Sequence, residues 1–134
     1  MAVDEDPVPS SEAEWDLLIT DWIAYSSEKG LSDSDPRWWA ISAVIMFPIN
    51  RNHEELWQFV TRTFEKEMSD KAFASLAAGP LEDLLGYFGE LYIDRIEELA
   101  RKNPRFNYLL GGVWKHLSTD DVWTRIEKVR LKEW

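Results

Sequence analysis

Residues 81–99 have the sequence LEDLLGYFGELYIDRIEEL, and their apolar side chains recur with the period of an α-helix. The apolar positions that stay in phase over five turns are Leu81, Leu84, Leu85, Phe88, Leu91, Tyr92, Ile96 and Leu99. Gly86, Gly89 and Ile93 lie on a neighbouring face, where each glycine costs a helix about 1 kcal/mol relative to alanine. We therefore expect a second helix packed closely on that face, which makes this the central helix. Arg95 lies at its apolar edge, so we expect a carboxylate partner for it.

Helix signals occur along the rest of the chain as well. With the stretch just described, seven segments carry them, and their starts are at Ser11, Asp35, Asn52, Ser69, Gly79, Asn103 and Ser118. No segment alternates apolar and polar residues in the way a strand does. The predicted fold class is all-α, a compact bundle of six or seven helices, either orthogonal or stacked as helical hairpins. Residues 1–10 are predicted to form a flexible acidic tail, and residues 11–134 a single helical domain.

The negative charge of the chain is concentrated near its N-terminus. Residues 1–35 hold ten acids and one base, whereas residues 36–134 hold fifteen acids and fourteen bases, and the total is −10. Such a surface keeps a small protein soluble, and it also attracts a basic partner. Direct binding to nucleic acid is disfavoured, because phosphates need a basic patch.

Motifs for catalysis are missing from the sequence. The chain has no Cys and only two His, His53 and His116, neither of them in a metal-binding spacing. Adjacent carboxylates such as Glu97 and Glu98 point about 100° apart on a helix, so they do not converge on one site. We predict no enzyme activity, no catalytic or metal-binding residues and no cofactor. No apolar stretch is long enough to span a membrane, and with no basic-apolar signal at the start the expected location is the cytoplasm.

A candidate partner-binding surface lies in the acidic quarter. Glu14, Asp21 and Glu28 follow one another at seven-residue intervals and share a face of the first helix. Neighbouring tryptophans on a helix cannot both face the core, so Trp38 or Trp39 is expected to line a contact surface. The predicted partner-binding residues are Glu14, Asp21, Glu28, Asp33, Asp35, Trp38 and Trp39.

Several short motifs resemble those of one protein family. They are Leu-Ala-Ala-Gly-Pro-Leu-Glu-Asp-Leu-Leu at residues 76–85, Ile-Asp-Arg-Ile-Glu at 93–97, Asn-Pro-x-Phe at 103–106, Gly-Val-Trp at 112–114 and Asp-Asp-Val-Trp at 120–123. Together with a Trp-containing first helix, they resemble a family of small bacterial helical domains of unknown function. The resemblance implies an all-helical bacterial protein and supplies no active site. By analogy, small acidic proteins of this kind sit beside toxin genes, which suggests an immunity-like role.

The preferred hypothesis for function is an immunity or antitoxin-like protein that neutralises a basic bacterial toxin or effector domain by direct binding. One alternative is a nucleic-acid-mimicking inhibitor of a defence or nuclease complex, which needs acids spaced like phosphates. Another is a helical regulatory or scaffold module, which an exposed apolar channel would support. An enzyme is the least favoured class, because it would need converging carboxylates or a bound metal.

Overall fold

The computed structural model describes residues 8–134, and the predicted acidic tail lies outside it up to residue 7. The helices are α1 (Glu12–Ser27), α2 (Trp38–Ile49), α3 (His53–Thr63), α4 (Asp70–Leu76), α5 (Glu82–Lys102), α6 (Pro104–Leu110) and α7 (Asp120–Val129). A π-helical turn, Ala77–Leu81, joins α4 to α5 without interruption, so the chain forms six separate helical rods. No strand occurs in residues 8–134, and the all-α prediction is confirmed.

The central rod runs from Asp70 to Lys102, and the prediction that a new helix begins at Gly79-Pro80 is wrong. Proline lacks an N–H and its ring clashes with the carbonyl four residues earlier in an α-helix. The wider π-helical turn around Pro80 lets the helix continue past it. The rod bends again at Phe88, whose φ of −135° and ψ of 23° are not helical.

The bend at Phe88 changes which side chains of α5 face the core. Tyr92 and Ile93 are buried, whereas Leu91, predicted to face inward, is 60% exposed. The prediction for Leu91 is wrong because it requires one helical phase along the whole of α5. The backbone dihedral angles of Phe88 are not helical, and they interrupt that phase.

The predicted close neighbour of the α5 glycines is α7 together with the residues before it. A methyl group on Gly89 would lie 3.0 Å from Val122 Cγ1, and one on Gly86 would lie 2.9 Å from Leu117 Cβ. Both glycines therefore allow a contact that alanine would obstruct. The N-cap of α7 is Thr119 rather than the predicted Ser118, because the Thr119 hydroxyl accepts the Val122 N–H.

The core is formed by one continuous cluster of aliphatic and aromatic side chains from all seven helices and the π-helical turn. Helix α1 contributes Trp15 and Trp22, and the Trp22 ring meets Phe59 of α3 edge-on at 5.3 Å. Helix α3 ends at Thr63. Within residues 8–134, no helix has both the length and the apolar character that a membrane span requires.

The C-terminal residue is packed against α6 and the turn that follows it. The Trp134 ring stacks on Tyr108 at 5.4 Å, and its Nε1–H donates to the Tyr108 carbonyl at 2.5 Å. The same ring lies directly on Gly111 and Gly112, where a methyl group would overlap it. These glycines therefore make room for Trp134 as well as ending a helix.

Candidate functional site

A surface depression at the start of α2 gathers most of the residues predicted to bind a partner. It encloses about 490 Å³ and is lined by Asp33, Asp35, Trp38 and Trp39, with Pro36, Ser42 and Ala43. Asp21 of α1 joins this group, because its carboxylate accepts the Trp39 indole N–H at 2.7 Å. We name Asp21, Asp33, Asp35, Trp38 and Trp39 the acidic-aromatic face.

The two tryptophans of this face point in different directions. Trp38 is half-buried and packs against Tyr25 of α1, with ring centroids 5.5 Å apart. Trp39 is 37% exposed, and its ring is held in place by the hydrogen bond to Asp21. Trp39 is thus an aromatic side chain that is both accessible and fixed in orientation.

Arg37 neutralises part of the negative charge beside this face. Its guanidinium donates to both carboxylate oxygens of Glu28, at 2.8 and 3.2 Å, and to both of Asp35, at 3.0 Å each. Hydrogen bonding to Arg37 lowers the pKa of both carboxyl groups. Helix α2 begins at Trp38, later than the start predicted at Asp35.

Glu14 lies apart from the other predicted partner-binding residues. It sits in the first turn of α1, where its carboxylate accepts the Ser10 N–H at 2.9 Å and its own N–H donates to Ser11 Oγ at 3.2 Å. Asp21 is seven residues further on, about 10 Å along the helix axis. Glu14 therefore contributes to the start of α1 and does not join the acidic-aromatic face.

A second depression, missed at the sequence level, lies between α1, α2 and the central rod. We name it the apolar cleft; it encloses about 390 Å³, and its lining includes Trp22, Tyr25, Ile41, Val44, Lys71 and Asp83. The π-helical turn contributes Gly79 and Pro80 to the same wall. Turns of this kind are frequent at functional sites. The walls of the apolar cleft come from three segments that are distant in sequence, so no local sequence motif predicts it.

Only a narrow ridge separates the apolar cleft from the acidic-aromatic face. Glu28 lines the cleft and Asp35 lines the neighbouring depression, and Arg37 binds both. Tyr25 lines the apolar cleft and Trp38 lines the neighbouring depression, and the two rings pack against each other. The two depressions therefore belong to one continuous surface formed by α1, α2 and the rod.

A partly buried polar cluster between α3 and α5 has a structural explanation. The Tyr92 hydroxyl lies 2.7 Å from His53 Nδ1 and donates to Glu54 at 3.1 Å, and Arg95 binds the same carboxylate at 3.0 Å. Burial raises the pKa of Tyr92 to about 12, so its phenol stays protonated. The carboxylate partner predicted for Arg95 is thus Glu54. Within residues 8–134, no three or more His, Asp or Glu side chains are grouped closely enough to hold a metal ion.

These features define an all-α protein with one acidic, aromatic and partly apolar surface. The chain belongs to a family of unknown function, DUF6869, whose profile matches residues 27–134. The match begins at the last residue of α1, so it contains Glu28, Asp33, Asp35, Trp38 and Trp39 but neither Glu14 nor Asp21. No curated protein and no solved structure matches the chain.

Proposed function

We propose that this protein binds a basic protein partner through the acidic-aromatic face and performs no chemistry on it. More specifically, we propose an immunity or antitoxin-like role in the bacterial cytoplasm, in which it blocks a basic toxin or effector domain. The observation that carries the proposal is the hydrogen bond between Asp21 and Trp39. It joins two helices and holds acids and exposed aromatic surface together at one place.

The composition of the face suits such a partner. Tryptophan is enriched among the residues that dominate binding energy, and Trp39 is exposed and already oriented. Asp33 is exposed at the rim, where a charge accelerates the encounter with a basic surface. The entropy cost of ordering this face on binding is small, because α1 and α2 already hold its side chains in place.

Internal ion pairs make the face less acidic than the sequence indicates. Residues 21–39 carry four acids and two bases. Glu12, at the start of α1, is bound to Arg62 at 2.7 Å. Electrostatic steering is therefore expected to be moderate, and the aromatic contact has to supply much of the affinity. The alternative of a nucleic-acid mimic needs a long array of unpaired acids. The ion pairs of Glu12, Glu28 and Asp35 with arginine do not favour it.

A helical regulatory or scaffold module is the second candidate. The apolar cleft favours it, because an exposed apolar channel is what a peptide-binding module requires. The two candidates differ in which depression carries the affinity.

A site-specific photo-crosslinker tests the proposal in the producing cell. Placed at Trp39, it is expected to capture one basic protein, which purified protein then binds and inhibits. The matched control is the same crosslinker at Glu127, which is exposed on α7. Equal capture at both positions, or capture of proteins without a basic surface, would contradict the proposal.

A further inference from the structure

Asp83 is a carboxylate that is desolvated by its position in the apolar cleft. It is half-buried in the wall of the apolar cleft, and within residues 8–134 no side chain or backbone group forms a hydrogen bond or ion pair with its carboxylate. Burial raises the pKa of Asp83, neighbouring Glu82 raises it further, and His116 opposes them. A desolvated charge without a partner is costly, so such groups are normally paired.

Two partly buried acids elsewhere in the molecule, Glu97 and Asp35, have arginine partners. Glu97 is bound by Arg125 at 2.6 Å, and the partly buried Asp35 by Arg37 at 3.0 Å. In each case hydrogen bonding to the arginine lowers the pKa of the carboxyl group. Asp83 has the environment of these acids but lacks the cation.

The two ends of the apolar cleft carry different charge. Lys71, Ser75, Gly79 and Asp83 line the rod side at four-residue intervals, so the first and last are about 15–18 Å apart along the axis. The Lys71 ammonium binds the Glu28 carbonyl, which keeps its charge at the far end. That separation exceeds the Debye length of about 8 Å at physiological salt, so the Asp83 end stays acidic.

From this geometry we infer that the Asp83 end of the apolar cleft receives an arginine side chain from the basic partner, an inference that rests on the proposed function. The aliphatic stem would lie against the apolar wall that includes Ile41 and Val44, and the guanidinium would donate two N–H groups to the Asp83 carboxylate. A guanidinium suits this position better than an ammonium, because it is planar and weakly hydrated. About 390 Å³ accommodates the whole side chain.

Titration of the labelled protein with a capped Gly-Arg-Gly peptide, followed by ¹H–¹⁵N NMR, tests the inference. The matched probe is the same peptide with citrulline, which has nearly the shape of arginine without its charge. We expect the arginine peptide to shift the Trp22 indole and the amides of Gly79 and residues 81–83 with millimolar affinity. Citrulline is expected to bind about five-fold more weakly or worse.

Two variants separate a contact with Asp83 from general electrostatics. Asp83→Asn should bind the arginine peptide about five-fold more weakly, whereas Glu90→Gln, which removes an equal charge from the exposed side of α5, should not. The spectrum of each variant shows directly whether it is folded. Equal binding of both peptides, equal binding by Asp83→Asn, or no shifts at tens of millimolar would overturn the inference.

The peptide titration and the Trp39 crosslinking experiment can fail independently, so failure of this inference is distinguishable from failure of the proposed function. If the arginine peptide titrates the apolar cleft while the Trp39 crosslinker captures no basic protein, the cation site stands and the proposed partner does not. If a basic partner is captured but the peptide leaves the cleft resonances unchanged, the proposed function stands without this anchor.

Discussion

At the scale of single residues, the buried polar groups of this protein divide into satisfied and unsatisfied ones. Tyr92 is almost completely buried and its hydroxyl is placed between His53 and Glu54. Asp83 is partly buried and has no such partner within the described residues. The first arrangement stabilises the fold, whereas the second costs stability and is better explained by binding.

Removal of the Tyr92 hydroxyl tests the stabilising role. Tyr92→Phe is expected to lower the free energy of unfolding by about 1–2 kcal/mol, because His53 and the Glu54 carboxylate lose their hydrogen bonds to the hydroxyl. Tyr87→Phe is the control, since Tyr87 is 57% exposed, and it should change stability by less than about 0.5 kcal/mol. Urea denaturation measures both, and equal effects would show that the cluster contributes nothing specific.

The pH dependence of stability tests the environment of Asp83. Its pKa in the folded protein lies above the reference value of 3.8, so the folded state holds this proton more tightly than the unfolded state. Ionisation therefore costs stability as the pH rises from about that reference value through the raised pKa. Asp83→Asn removes this loss, so its unfolding free energy relative to wild type should increase between acid pH and pH 7.

Acids whose pKa values are lowered by arginine, such as Glu28 and Glu97, give the opposite dependence, but they are the same in wild type and variant. Their contribution cancels in the difference between the two proteins. A pH-independent difference for Asp83→Asn would show that its carboxyl group is not desolvated.

At the scale of helices, glycine is required where two helices pack so closely that a side chain would not fit between them. Gly89→Ala should lower the free energy of unfolding by about 1–3 kcal/mol, because the new methyl group would lie 3.0 Å from Val122. Gly79→Ala is the comparison variant, since nothing beyond its chain neighbours lies within 4 Å of its methyl position. That variant should lose less stability than Gly89→Ala, because the gain in helix propensity opposes the steric cost of a side chain directly before Pro80. Thermal unfolding distinguishes the two, and similar destabilisation by both would mean that α7 can move away.

Sequence periodicity predicts these helices well wherever their signals are local. The Ser11 N-cap of α1 and the close packing of α7 against Gly89 of α5 are both observed. The continuation of the rod through Pro80 was not predictable, because a proline ends a helix unless a π-helical turn happens to fit it. The outward position of Leu91 follows from a bend that no residue pattern specifies.

At the scale of the whole molecule, the fold redistributes charge that is concentrated in the sequence. The acids of residues 1–35 suggested one strongly negative flank, and the pairing of Glu28 and Asp35 with Arg37 reduces it. The candidate face could be located from sequence, since five of the seven predicted residues meet at one place. The apolar cleft could not, because its walls come from α1, α2 and the rod and meet only after folding.

The association rate with the captured partner tests the central claim most directly. Asp33 is exposed on the acidic-aromatic face, and Glu127 is exposed on α7, so replacing either with lysine changes net charge equally. We predict that Asp33→Lys slows association about ten-fold at low salt, that 0.5 M salt removes most of this difference, and that Glu127→Lys has little effect. Equal rates for the two variants, or a rate that does not respond to salt, would contradict the claim that this face meets a basic protein.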